Sequence, residues 1–147
     1  MTTDHYDIVI IGGGPVGMAL ALALNDTGIS SLLLEARGLP EKVEDPRPLA
    51  LSHGSHLILQ RLGVWNNLAL RTPITTIHIS NRGSFGQTIL TPEDAGVPTL
   101  GFVVNYHDLF VAMYKQLITA NKNDHLTGAI VTQLDTKKKF GNVYFDY

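Results

Sequence analysis

The residues with the clearest chemistry are glycines. Gly12-Gly13-Gly14-Pro15-Val16-Gly17 satisfies the pattern G-x-G-x-x-G, and Glu35 stands 18 residues beyond Gly17. That spacing suits a dinucleotide, with the pyrophosphate at the glycines and an acid about 20 residues on for the ribose. Each position has its own task. Gly12 allows a tight turn, Gly14 lacks a Cβ so that phosphate can reach the backbone, and Gly17 lets a helix pack closely on a strand. A helix starting at Pro15 and Val16 turns the positive end of its dipole and its first N–H groups toward the phosphates. Glu35 can accept hydrogen bonds from ribose hydroxyls, and its charge would repel a 2′-phosphate. The glycines read only the ADP half that FAD and NAD share, so on this motif alone the dinucleotide stays open.

Such a loop works only between a buried strand and a helix. Ile8-Val9-Ile10-Ile11 is a continuous β-branched run, as in a strand covered on both faces of a parallel sheet. Pro15 suits the first turn of a helix, Val16 to Leu24 supplies helix formers, and Gly28 closes the segment. Ser31 to Glu35 reads as a second short apolar strand, which completes a βαβ unit from Tyr6 to Glu35. Further on, Gly38 to Pro48 reads as a loop. Ser52 is placed to cap a helix running to Leu62. Ile74, Ile77 and Ile79 suggest a half-buried strand that pairs with Thr88–Leu90 across a turn at Gly83–Gly86. Leu100 to Val104 reads as a strand, His107 to Ala120 as an amphipathic helix, and Ala129 to Tyr147 as a hairpin turning at Thr136–Lys139.

Composition narrows the classes. The 147 residues fit one domain by length, and 44% hydrophobic with 16% charged residues is ordinary for a globular protein. A net charge of −2 leaves no electrostatic footprint for nucleic acid. The absence of cysteine removes disulfide scaffolds, thiolate zinc sites and iron–sulfur clusters, and suits a cytoplasmic setting. The uncharged stretch Ile8–Asn25 is close to membrane-spanning length, but the glycines divide it into a strand and a helix. His53 and His56 are spaced i, i+3 with no third ligand beside them, so they read as a surface pair and no metal site is expected.

From Asp7 to Arg37, and on through Asp45 to Ser52, the chain resembles the class A FAD-dependent aromatic hydroxylases. The segments Gln60–Trp65, Ile74–Gly83 and Gly101–His107 are similar to those of the ubiquinone-biosynthesis branch, the polyprenyl-methoxyphenol hydroxylases. The resemblance covers Asp7 to Leu117. It implies an α/β, Rossmann-like FAD-binding βαβ domain with an inserted β element. It also implies a monooxygenase that uses NAD(P)H and O₂ to hydroxylate a phenol bearing a polyprenyl tail.

By that resemblance Gly12, Gly14, Pro15, Val16 and Gly17 flank the FAD pyrophosphate, and Glu35, with Ala36 and Arg37 beside it, holds the adenosine end. Arg47 matches an arginine that reaches the cofactor's phosphates, and His107 either approaches the flavin or serves the start of its helix. No catalytic residue is nominated. The substrate's tail would bring the enzyme to a membrane surface or into an assembly of pathway enzymes. Family members are longer, and the Asp-Gly and Gly-Asp motifs of their second half do not occur in this sequence. The chain is therefore expected to be the N-terminal part of a larger two-domain flavoprotein, inactive alone. A different FAD or NAD oxidoreductase, or a non-catalytic nucleotide-binding module, are the alternatives.

Overall fold

The computed structural model describes residues 4–38, 45–81, 83, 86–120 and 124–147. The chain divides into two compact units, one comprising residues 1–44 and 110–147 and the other residues 45–109. The loop expected over Gly38–Pro48 lies mostly outside the described residues.

The first unit is built on a parallel sheet. Strands β1 (Ile8–Ile11), β2 (Ser31–Glu35) and β8 (Asp124–Thr127) pair in the order β1-β2-β8, with Ile8 opposite Ser31 and Leu32 opposite Asp124. The central strand β2 is buried at every position, which is why it reads as an unbroken apolar run. Helix α1 (Pro15–Leu24) crosses between β1 and β2 and buries Met18, Ala21 and Leu22. The uncharged Ile8–Asn25 stretch is thus a strand, a turn and a helix, and no described helix is long and apolar enough to cross a membrane. From Phe110 on, helix α4 (Tyr106–Ala120) adds Phe110, Met113 and Leu117 to the buried residues of this unit. A hairpin of β9 (Ile130–Thr136) and β10 (Gly141–Asp146) follows, with Val131, Val143 and Phe145 packed against Leu32, Leu34 and Ala129.

The second unit is antiparallel. Strands β3 (Pro48–Ser52), β7 (Gly101–Asn105) and β4 (Thr72–Ile74) form one sheet in the order β3-β7-β4. Strands β5 (Ile77–Ser80) and β6 (Gln87–Leu90) form a separate pair. This is the inserted β element. Ser52 caps helix α2 (His53–Arg61), its Oγ accepting the Ser55 N–H at 3.1 Å. A four-residue helix, α3 (Pro92–Ala95), carries a capping box between Thr91 and Asp94.

Two expectations are corrected here. The isoleucines do not share one half-buried strand: Ile74 belongs to β4, and β5 is exposed along its length, with Ile79 at 54%. His53 and His56 are not a surface pair. The His56 ring packs 4.2 Å from the Trp65 ring and 4.9 Å from Phe102, with His53 at 5.7 Å, and the Nδ1 atoms of both histidines are shielded without a hydrogen-bond partner among the described residues. Spacing on a helix could not show this, because the covering rings come from a later turn and from β7.

Burial holds His56 below the ordinary histidine pKa, with His53 and Arg71 adding like charge. The unfolded chain therefore takes up a proton that the folded chain resists, so stability falls as pH drops below the ordinary histidine range. Thermal unfolding from about pH 7.5 to about pH 5.5, the span around a free histidine, should show a steeper fall for the parent chain than for His56→Phe. Parallel curves would dismiss His56 as the source.

Candidate dinucleotide site

The site is made where β1 turns into α1. Gly12 leaves the strand at φ +107°, a conformation that side chains other than glycine's rarely adopt, and its N–H donates to the Leu34 carbonyl of β2 at 2.8 Å. Gly14 is the N-cap of α1, in extended backbone (φ −70°, ψ 177°), and Pro15 takes the first helical position. A Cβ on Gly14 would meet no atom of the described residues within 4 Å. One on Gly17 would run into the Gly12 carbonyl and lie 3.4 Å from Ile10. Close packing forbids a side chain at Gly17, whereas at Gly14 none of the described residues fills the space. Val16, also in the first turn, is 85% exposed.

Across the loop, Glu35 ends β2 with its carboxylate largely buried. Oε2 accepts the Gly13 N–H at 2.6 Å, and Oε1 accepts both the backbone N–H and the side-chain Nε–H of Arg37, each at 2.8 Å. Burial alone would push this carboxyl up, but the donors from Arg37 and Gly13 outweigh it and hold Glu35 below the usual carboxylate range. Ala36 is the exposed residue between the two charged ones. The void beside Glu35, bordered by Met18, Phe110, Tyr114 and Leu117, measures about 10 Å³ and has room for about one water molecule. No nucleotide group fits there.

Gly13 is the residue that the motif undervalues. The pattern asks for glycine at the first, third and sixth places only, yet a Cβ on Gly13 would lie 2.7 Å from the Cβ of Glu35. The run of three glycines was the available signal. Arg47 and His107 belong to the second unit. There the Arg47 guanidinium forks onto Asp45, at 2.8 Å from Nε and 2.6 Å from Nη2, and lies 5.6 Å from the Tyr106 ring. His107 stands in the first turn of α4. The Asn105 Oδ1 accepts its N–H at 2.8 Å, so the capping side chain is that of Asn105.

A low carboxylate pKa has a readable consequence. Its stabilisation is present above the unfolded carboxylate pKa and is lost as pH falls through the folded value. Glu35→Gln should unfold more easily than the parent at neutral pH by about 1–3 kcal/mol, the range for hydrogen bonds to a charged group. The gap should close on acidification. Paired urea unfolding curves from neutral pH to about pH 3, below the ordinary carboxylate pKa, test it, and a gap independent of pH would show that the ionised form is not the source.

The FAD binding domain family matches residues 5–136. The chain belongs to that family. The choice that the glycines left open between FAD and NAD is thereby made for FAD. Ubiquinone hydroxylase UbiM of Neisseria meningitidis is 28% identical over 151 residues, covering 97% of this chain and 33% of the relative. The 3-demethoxyubiquinol 3-hydroxylase of Escherichia coli K12 is 30% identical over 122 residues, covering 80% of this chain and 31% of the relative. The flavin-dependent monooxygenase PieE, solved in complex with FAD and substrate, superposes with a TM-score of 0.71 at 19% identity, over 96% of this chain and 27% of PieE. The likeness to PieE shows the fold. The chain spans about a third of the length of the curated relatives it matches.

Proposed function

We propose that this chain is the FAD-holding portion of a monooxygenase that hydroxylates a polyprenylated phenol, with NAD(P)H as reductant. The observation that carries the reading is the pairing of an unfilled space over Gly14 with a fixed, ionised Glu35 across the loop. The residues fit the cofactor. The pyrophosphate would lie against Gly12, Gly14 and the first turn of α1 at Pro15 and Val16, and the ribose would lie at Glu35. FAD, when bound, supplies the redox and oxygen-transfer chemistry. The chain's own part is to hold the ADP end: backbone donors and the helix dipole offset the phosphate charge, while Glu35 fixes the ribose.

The substrate class rests on the names of two of the relatives, a ubiquinone hydroxylase and a 3-demethoxyubiquinol 3-hydroxylase. The test uses the full-length protein that contains this chain, with FAD, NAD(P)H, O₂ and a short-tailed methoxyphenol. Mass spectrometry should find the ring with one added oxygen. Flavin reduction without any hydroxylated product across a panel of such phenols would leave an FAD protein but defeat the substrate assignment.

A further inference from the structure

Arg37 does more in this structure than neutralise a neighbour. An exposed ion pair is ordinarily worth little, and the Arg37 side chain is 47% exposed. Its partner is different, because the Glu35 side chain is 10% exposed and is the group expected to meet a ribose. Three features fix the pair. The guanidinium stands 5.3 Å from the ring of Phe110, within cation–π range, and Phe110 is buried in α4. The Arg37 carbonyl accepts the Gly128 N–H at 3.0 Å, and the Glu35 carbonyl accepts the Ala129 N–H at 3.0 Å, so the backbone on both sides is tied to the start of β9. The fork itself then sets the carboxylate rotamer, with Nε on Oε1 at 2.8 Å and Nη2 near Oε2 at 3.4 Å.

The acceptor count gives this arrangement a direction. Each carboxylate oxygen takes about two donors. Each oxygen holds two: Oε1 the backbone and Nε–H groups of Arg37, both at 2.8 Å, and Oε2 the Gly13 N–H at 2.6 Å and the Arg37 Nη2 at 3.4 Å, the longest of the four. The position most readily yielded to a ribose hydroxyl is therefore the long one on Oε2, the oxygen tied to the glycine loop. We propose that Arg37 is a positioning residue. It holds Glu35 so that Oε2, beside the phosphate loop, is the oxygen that receives a ribose hydroxyl. The inference rests on the dinucleotide reading above and assigns to Arg37 a role through Glu35 rather than through contact with the cofactor.

Isothermal titration of the FAD-free full-length protein that contains this chain, with ADP and with 2′,3′-dideoxyADP, separates this role from a merely structural one. Arg37→Leu should weaken ADP about tenfold, the scale of one hydrogen bond to a charged group, and weaken the dideoxy analogue less than about twofold. Arg37→Lys should recover only part of the loss, because an ammonium cannot fork onto both oxygens. In a Glu35→Gln background, Arg37→Leu should add almost nothing. An equal loss for both nucleotides would mark Arg37 as structural and overturn the proposal, as would an unchanged ADP affinity. Loss of ADP binding in Gly14→Val, measured alongside, upholds the dinucleotide site whichever way Arg37 falls. Failure of the unsubstituted full-length protein to bind ADP overturns both readings.

Discussion

Gly17→Ala is expected to destabilise the first unit by about 2–3 kcal/mol, even though alanine is the better helix former. The substitution returns about 1 kcal/mol of helix propensity, since Gly17 lies in the first turns of α1. Against this stands a methyl group directed at the Gly12 carbonyl, with Ile10 close behind it. Overpacking costs about 1–3 kcal/mol where side chains can adjust, and more where the obstacle is backbone. The obstacle here cannot move freely, because Gly12 is held at φ +107° and its N–H is bonded to Leu34. Relief requires α1 to lift from β1, which would open the packing of Met18, Ala21 and Leu22. The midpoint of urea unfolding should fall at constant slope, and Tm should drop by roughly 5–10 °C for a chain of this size. Gly17→Val should be worse. An Ala variant as stable as the parent would mean that helix and strand stand farther apart than the structure has them.

The same contact explains why the βαβ unit was legible in the sequence. A parallel strand buried on both faces is apolar nearly throughout, so Ser31–Leu34 of β2 declares itself without partners. Ile8–Ile11 carries the same pattern, but the structure fully buries only Ile10 and leaves Ile11 49% exposed. The expectation of a strand covered on both faces is corrected for β1. The loop declares itself because Gly12 and Gly17 are required by backbone geometry, and geometry leaves a mark on residue type. Strand β8 left no such mark. Asp124 and His125 are polar or charged residues, and the segment is extended because it pairs with β2 from Leu32 opposite Asp124 to Glu35 opposite Thr127, a partnership that lies about 90 residues away in sequence. Strand β3 was obscured by Pro48, which sits at its first residue, a place where a strand tolerates proline. The His56 cluster was hidden for another reason: its burial depends on Trp65 and Phe102, which no local period connects to α2. At the site, Glu35 was legible by spacing, while its clamp by Arg37 and Gly13 was not. Those bonds depend on the carboxylate's orientation, and a sequence does not encode a rotamer directly.

Gly14→Val should abolish FAD binding and leave the fold in place, the converse of the Gly17 result. Gly14 has φ −70° and ψ 177°, which any residue adopts without strain, and no atom of the described residues lies within 4 Å of its absent Cβ. The stability change should stay within about 1 kcal/mol, the scale on which valine is a poorer N-cap than glycine. The consequence for a ligand is much larger. Phosphate oxygens that hydrogen-bond to backbone N–H groups must come within about 3 Å of the nitrogen, and at Gly14 a branched side chain would occupy that approach. Affinity for FAD, followed by quenching of flavin fluorescence, should fall at least a hundredfold, equivalent to about 2.7 kcal/mol. Gly14→Ala should fall between the two. Circular dichroism and the unfolding midpoint, measured on the same samples, should match the parent. Retained FAD affinity in a folded Gly14→Val chain would move the phosphates off this loop, because no ligand held by these N–H groups can share the space with an isopropyl group.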